Sequence, residues 1–277
     1  MGPEQLVLTG QAGDLAADRW SAAEERGVVL LLHGGGQTRH SWHRSGARFA
    51  ASGWTTIAID ARGHGDSAWA PDGDYSMDAL VGDLAAVVDG FDVAPVLVGA
   101  SMGGITSLLA VGESAVEAGA LVLVDVAPQV EAAGVQRILD FMASAPDGFA
   151  SLEEVADAIA SYNPHRPRPS NLDGLRKNVR QWDDGRWHWH WDPAFLGVRD
   201  EPSRATRRDR LRAAAAQVAV PTMLVRGTQS DVVSAEGADE LQRLIPHAVV
   251  REAKAGHMVA GDDNDVFAQQ VLEFLES

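Results

Sequence analysis

Short runs of unbroken apolar residues, bounded by Gly, Asp or Pro, recur at 28–32, 55–59, 96–98, 121–124 and 222–225. A strand that is apolar on both sides is one covered on both sides, so these runs predict the inner strands of a parallel sheet. Between them, apolar residues at helical spacing predict helices over 41–52, 77–88 and 102–111, and a closing helix over 264–274. Strand and helix alternate, which is the pattern of an α/β fold with right-handed crossovers. Two weaker strand patterns near the start, 5–9 and 15–20, predict an antiparallel hairpin at the sheet edge.

The alternation stops over 128–218, where helical patterns at 135–143 and 152–162 lead into a Pro-rich turn at 163–169. Roughly 90 residues between two well-formed strands is too long for a plain connection, so this segment is expected to be an inserted, mainly helical cap. The core is then 1–127 together with 219–277. The cap's expected place is over the carboxyl edge of the sheet, where open α/β sheets bind their ligands. The arginine-rich stretch 204–212 reads as a solvated helix face near a hinge.

Composition narrows the function. The formal charge is −16 over 277 residues, which repels phosphate backbones and anionic membrane surfaces, so neither nucleic acid nor membrane is an expected partner. No apolar stretch approaches the roughly 20 residues needed to span a bilayer, and the first residues lack the basic flank and apolar centre of a signal peptide. The expectation is a cytoplasmic protein acting on a small molecule. The chain has no cysteine, so a nucleophile must be an oxygen or a nitrogen.

Gly99-Ala100-Ser101-Met102-Gly103 follows one of the apolar runs and opens into a small-residue helix, the setting of a nucleophile elbow. A serine raised above a sheet on so sharp a turn needs neighbours without bulk two positions to either side, and Gly99 and Gly103 meet that need. Its hydroxyl requires a base held by an acid. His257, in a loop between the apolar run 248–250 and the closing helix, is the expected base. Asp231, just past the strand ending at Val225, is the expected acid. Leu32-His33-Gly34-Gly35-Gly36 supplies backbone amides for an oxyanion: Gly35 is the expected donor with Gly36 the alternative, and the Met102 amide at the helix start is the second.

These features together resemble the α/β-hydrolase superfamily, across essentially the whole chain. Besides the elbow, the oxyanion loop and Gly256-His257, Asp60-Ala61-Arg62-Gly63-His64-Gly65-Asp66-Ser67 is similar to that superfamily's D-x-R-G-x-G-x-S landmark. The resemblance implies an eight-stranded, mostly parallel core with a helical cap after the sixth strand. It implies a serine hydrolase that needs no cofactor and cleaves a small to medium, partly apolar ester, thioester or lactone through an acyl-enzyme. Carbon–carbon bond hydrolysis, peracid formation and ligand reception with negligible turnover are the alternatives within the same fold. Asp125, ending the strand 121–124, is the rival acid, because some hydrolases of this fold carry their carboxylate there.

Other polar residues have plainer expected roles. His33 and His64 are expected to tie loops together, and Asp262 and Asp263, though close to His257 in sequence, belong to a segment expected to cap the closing helix through Asp263 or Asn264. In Arg186-Trp187-His188-Trp189-His190-Trp191, a period of two would set the tryptophans on one side and the histidines on the other. Two histidines without carboxylates fall short of a metal site. Trp187, Trp189 and Trp191, with Trp42 and Met102, are the candidate pocket wall.

Overall fold

The computed structural model describes residues 2–164, 166–197, 203–259 and 264–277. Eight strands form one sheet: β1 (Glu4–Thr9), β2 (Asp14–Trp20), β3 (Gly27–Leu32), β4 (Trp54–Ile59), β5 (Val96–Ala100), β6 (Ala120–Val124), β9 (Thr222–Gly227) and β10 (Val249–Ala253). Their order is β1-β2-β4-β3-β5-β6-β9-β10, antiparallel at β1–β2 and β2–β4 and parallel elsewhere. Each apolar run anticipated from sequence is a strand, extended by one or two residues.

Successive residues of the inner strands feed opposite layers, as a period of two requires. Leu30, Leu97 and Leu121 pack under α2 (Met77–Val88), α3 (Met102–Gly112) and α7 (Ala235–Leu244). Leu31, Val98 and Val122 pack under α1 (His43–Ala51) and the C-terminal helix α8 (Asn264–Leu275). The chain leaves β3 for β4 on one side and returns to β5 on the other. The crevice at the carboxyl ends of β3 and β5 is therefore the topological switch point, where such sheets bind ligands.

The insertion after β6 holds α4 (Ala132–Met142), α5 (Leu152–Tyr162) and a small hairpin of β7 (Val179–Gln181) and β8 (Trp187–Trp189). It has a hydrophobic cluster of its own around Val155, Leu175, Val179 and Trp189. α6 (Arg204–Ala215), which the sequence places inside the cap, belongs to the core instead. Its Leu211, Ala214 and Ala215 are buried beside α3, with the Ala214 carbonyl so near Gly112 that a Cβ there would stand 2.2 Å from it. Nor are its arginines merely solvated: Arg210 bridges Asp78 and Glu113, and Arg212 pairs with Glu240. Asp262 and Asp263 and the side chain of Asn264 lie outside the described residues. No helix among the described residues is long and apolar enough to cross a membrane.

Candidate active site

β5 passes into α3 through Ser101 alone, with φ 45° and ψ −112°. These angles lie off the populated regions, a strain of about 1–3 kcal/mol that persists only where the surroundings dictate it. A Cβ on Gly99 would lie 2.4 Å from the Gly103 carbonyl oxygen, and one on Gly103 would lie 2.5 Å from that of Leu32. The turn can therefore form only with glycine at both places.

His257 Nδ1 lies 2.6 Å from Asp125 Oδ2. An ionised carboxylate only accepts, so Nδ1 carries the proton and Nε2 is left as the base. The Asp125 side chain is wholly buried, and its other partners are the Gly227 amide at 2.9 Å and the Ser230 hydroxyl. That hydroxyl in turn accepts from the amides of Val232 and Val233, both at 3.1 Å. Asp231 is not brought to the histidine, which corrects the sequence expectation. The chain folds tightly after β9, the Ser230 amide donating to the Gly227 carbonyl at 3.0 Å, and this sends Ser230 inward and Asp231 outward. Asp231 is 41% exposed and pairs with Arg137 of α4 at 2.7 Å. Ser230 carries no sequence signal of its own, because its role depends on that turn.

Ser101 and His257 face one cavity of about 290 Å³ between the sheet edge and the cap. The Ser101 hydroxyl donates to no described residue; in unliganded sites such bonds commonly close only around substrate. Gly34, Gly35 and Gly36 line the same cavity. The Gly34 amide donates to Gln37 Oε1 and the Gly36 amide to His64 Nε2, each at 3.2 Å. Gly36, the alternative oxyanion donor, is thus already engaged. The amides of Gly35 and Met102 have no acceptor among the described residues.

Of the five residues expected in the pocket wall, the structure brings two to the cavity. Trp189 and Trp191 line the cavity, stacked with ring centres 5.0 Å apart and planes 13° from parallel. Trp187 does not; its ring lies under the Arg176 guanidinium at 4.8 Å and faces a separate surface groove. Trp42 is a core residue, 1% exposed and packed against Phe267. The Met102 side chain points back into a small internal void shared with Leu32 and Leu84. Phe141 and Tyr162, stacked at 4.2 Å, and Met142 complete the apolar wall from α4 and α5. The amphipathic period of those helices was legible, but not which residue of their buried faces would meet Ser101.

Three buried histidines hold the loops behind the site. His33 Nδ1 donates to the Gly34 carbonyl at 2.8 Å and its Nε2 accepts from the Ala61 amide at 3.0 Å. His64 donates to the Arg62 carbonyl and accepts from Gly36. His190, from the cap, accepts from the Gly65 amide at 2.8 Å and reaches the Gly36 carbonyl at 3.4 Å. Burial pushes all three imidazoles toward the neutral form, His33 to about 4, His64 to about 3 and His190 well below its ordinary value. The loop-tying roles expected of His33 and His64 are what the geometry provides. Among the described residues no cluster could hold a metal ion, and His188 turns away to Asp184 at 2.9 Å.

Residues 27–263 match the family model of the alpha/beta hydrolase fold. The chain is 34% identical to the esterase Rv0045c of Mycobacterium tuberculosis, covering 100% of this chain and 91% of that one. A solved structure of that esterase has a TM-score of 0.79 to this one at 30% identity, covering 100% and 93% of the two chains. The sn-1-specific diacylglycerol lipase ABHD11 of Mus musculus is 27% identical over 90% of this chain and 80% of its own. Sheet order, elbow and these matches agree: the chain belongs to the α/β-hydrolase fold family.

Proposed function

We propose that this protein is a serine ester hydrolase cleaving a small to medium, partly apolar carboxylic ester, thioester or lactone through an acyl-enzyme. The observation that carries the reading is one cavity holding both Ser101 on its strained elbow and His257, whose far nitrogen is locked to buried Asp125. Ser101 Oγ attacks the carbonyl carbon while His257 Nε2 takes its proton. Asp125 stabilises the imidazolium that results. The amides of Gly35 and Met102 receive the oxyanion, with the positive end of α3 behind the second. His257 returns the proton to the departing alcohol or thiol, and a water activated by the same nitrogen releases the acid.

The cavity is at the small end of ligand pockets, which run from roughly 300 to 1,000 Å³, and its aromatic wall suits an apolar group. The esterase and lipase among its relatives support the same reaction class. The test is rapid-mixing kinetics with p-nitrophenyl esters of graded acyl length. A burst of about one equivalent, absent in Ser101→Ala, with turnover lowered by a factor of at least ~10³, is expected. Wild-type-like turnover by Ser101→Ala would end this reading.

A further inference from the structure

The formal charge of the chain is −16, with 39 acidic and 23 basic side chains, yet no aspartate or glutamate among the described residues lines the cavity over Ser101. Two cations do, Arg166 and Lys177, accompanied by the amides Asn163 and Asn178. They come from two neighbouring pieces of the cap. Asn163 and Arg166 follow α5, Lys177 and Asn178 end the 3-10 turn Asp173–Lys177 and its cap, and α5 packs on that turn. Lys177 has no ion pair with any described residue, although the other cation of the turn, Arg176, is paired with Asp173 at 3.4 Å. A concave site of one sign inside a chain of the other concentrates ligands of the chain's own sign, because the low-dielectric walls focus the local field.

We infer that the substrate carries an anionic group, a carboxylate on the acyl or the alcohol part, held by Lys177 and Arg166 while its apolar portion lies on Phe141, Trp189 and Trp191. The inference rests on the ester-hydrolase reading for the reaction but has its own binding signature. The cations and amides would recognise the carboxylate. The stacked tryptophans would take the methylenes between it and the ester.

Two matched pairs of substrates test it. p-Nitrophenyl hexanoate against mono-p-nitrophenyl adipate varies the acyl end, and hexyl acetate against 6-acetoxyhexanoate varies the alcohol end. The expected result is a kcat/KM ratio favouring the anionic member of one pair by about two- to fivefold per cation, the range of an exposed charge pair. The ratio should shrink in high salt and fall toward one in Lys177→Met and in Arg166→Met. In parallel, the Ser101→Ala protein is titrated with the same compounds by tryptophan fluorescence. Tighter binding of the anionic members that Lys177→Met abolishes, without turnover by the wild type, would keep the cation site and discard the ester chemistry. Brisk turnover of the neutral esters with no anionic preference, or a preference that neither substitution moves, would overturn the anionic substrate and leave the hydrolase. Because Lys177 is exposed, its variant folds even if Arg166→Met does not.

Discussion

An imidazole that takes a proton in mid-reaction needs beside it an anion that is buried, ionised and immobile. Asp125 is buried and fixed: its oxygens receive His257 Nδ1–H, the Gly227 amide and the Ser230 hydroxyl, and nothing of its side chain reaches solvent. Asp231, partly exposed and bound to a guanidinium of the cap, is not placed to orient the ring. Asp125→Asn is therefore expected to lower kcat by about 10⁴, as a wrong tautomer does in other triads, with the fold retained. Asp231→Asn should stay within a few-fold of wild type, its effect confined to the seating of α4. Steady-state kinetics on the pair decides, and a larger loss at Asp231 would reverse the assignment.

At the scale of elements, the glycine loop after β3 is held by rings rather than by charge. His33, His64 and His190 each donate through one nitrogen and accept through the other, which requires all three to be neutral. Their folded pKa values lie below the ordinary 6.5, at about 4 for His33 and about 3 for His64. As pH falls below 6.5 the unfolded chain takes up these protons and the folded chain does not. Stability present above that pH is then lost progressively down to the folded values, at up to about 1.4 kcal/mol per pH unit for each histidine. Guanidinium unfolding between about pH 7 and pH 5.5 should show a falling midpoint before the carboxylates contribute much. A flat midpoint over that range would mean that the rings are not held neutral.

On the scale of the whole molecule, cap and core are joined at several places besides His190. The hairpin clamps the loop between β4 and α2: Asp192 accepts from the Tyr75 hydroxyl and donates through its amide to the Gly63 carbonyl at 2.9 Å, and Arg180 reaches the Gly65 carbonyl at 3.0 Å as well as Asp66. The start of α4 is tied to the loop after β9 by the Glu131 amide on the Val232 carbonyl at 2.9 Å and by Arg137 on Asp231. Asp192→Ala would leave the buried Tyr75 hydroxyl without its acceptor, and a loss of about 1–3 kcal/mol is expected in denaturant unfolding. Because the clamp also sets Trp189 and Trp191 over Ser101, KM should rise more than kcat falls. An unchanged KM would mean that α4 and α5 alone position the pocket wall.

Much of this protein was legible in one dimension because the reasons are local. Unbroken apolar runs at 28–32 or 121–124 can be satisfied only as covered strands, and the glycines around Ser101 are demanded by atoms a few residues away. Met77–Val88 and Leu152–Tyr162 have the bounds that their apolar spacing predicts, and each starts after a serine whose side chain accepts from the first turn. The strand–helix alternation, the elbow and the glycine run after β3 follow from such local steric and solvation rules. What the chain order could not decide was direction. Asp125 and Asp231 both sit just past strand ends, and only a tight turn at Gly227 sends one carboxylate under the histidine and the other to the surface. Trp42, Trp187, Trp189 and Trp191 are alike as residues, and only the packing of α8, the hairpin, α4 and α5 sorts them into core, surface and pocket. Contacts between residues remote in sequence made those choices, since a side chain's destination depends on what else arrives beside it.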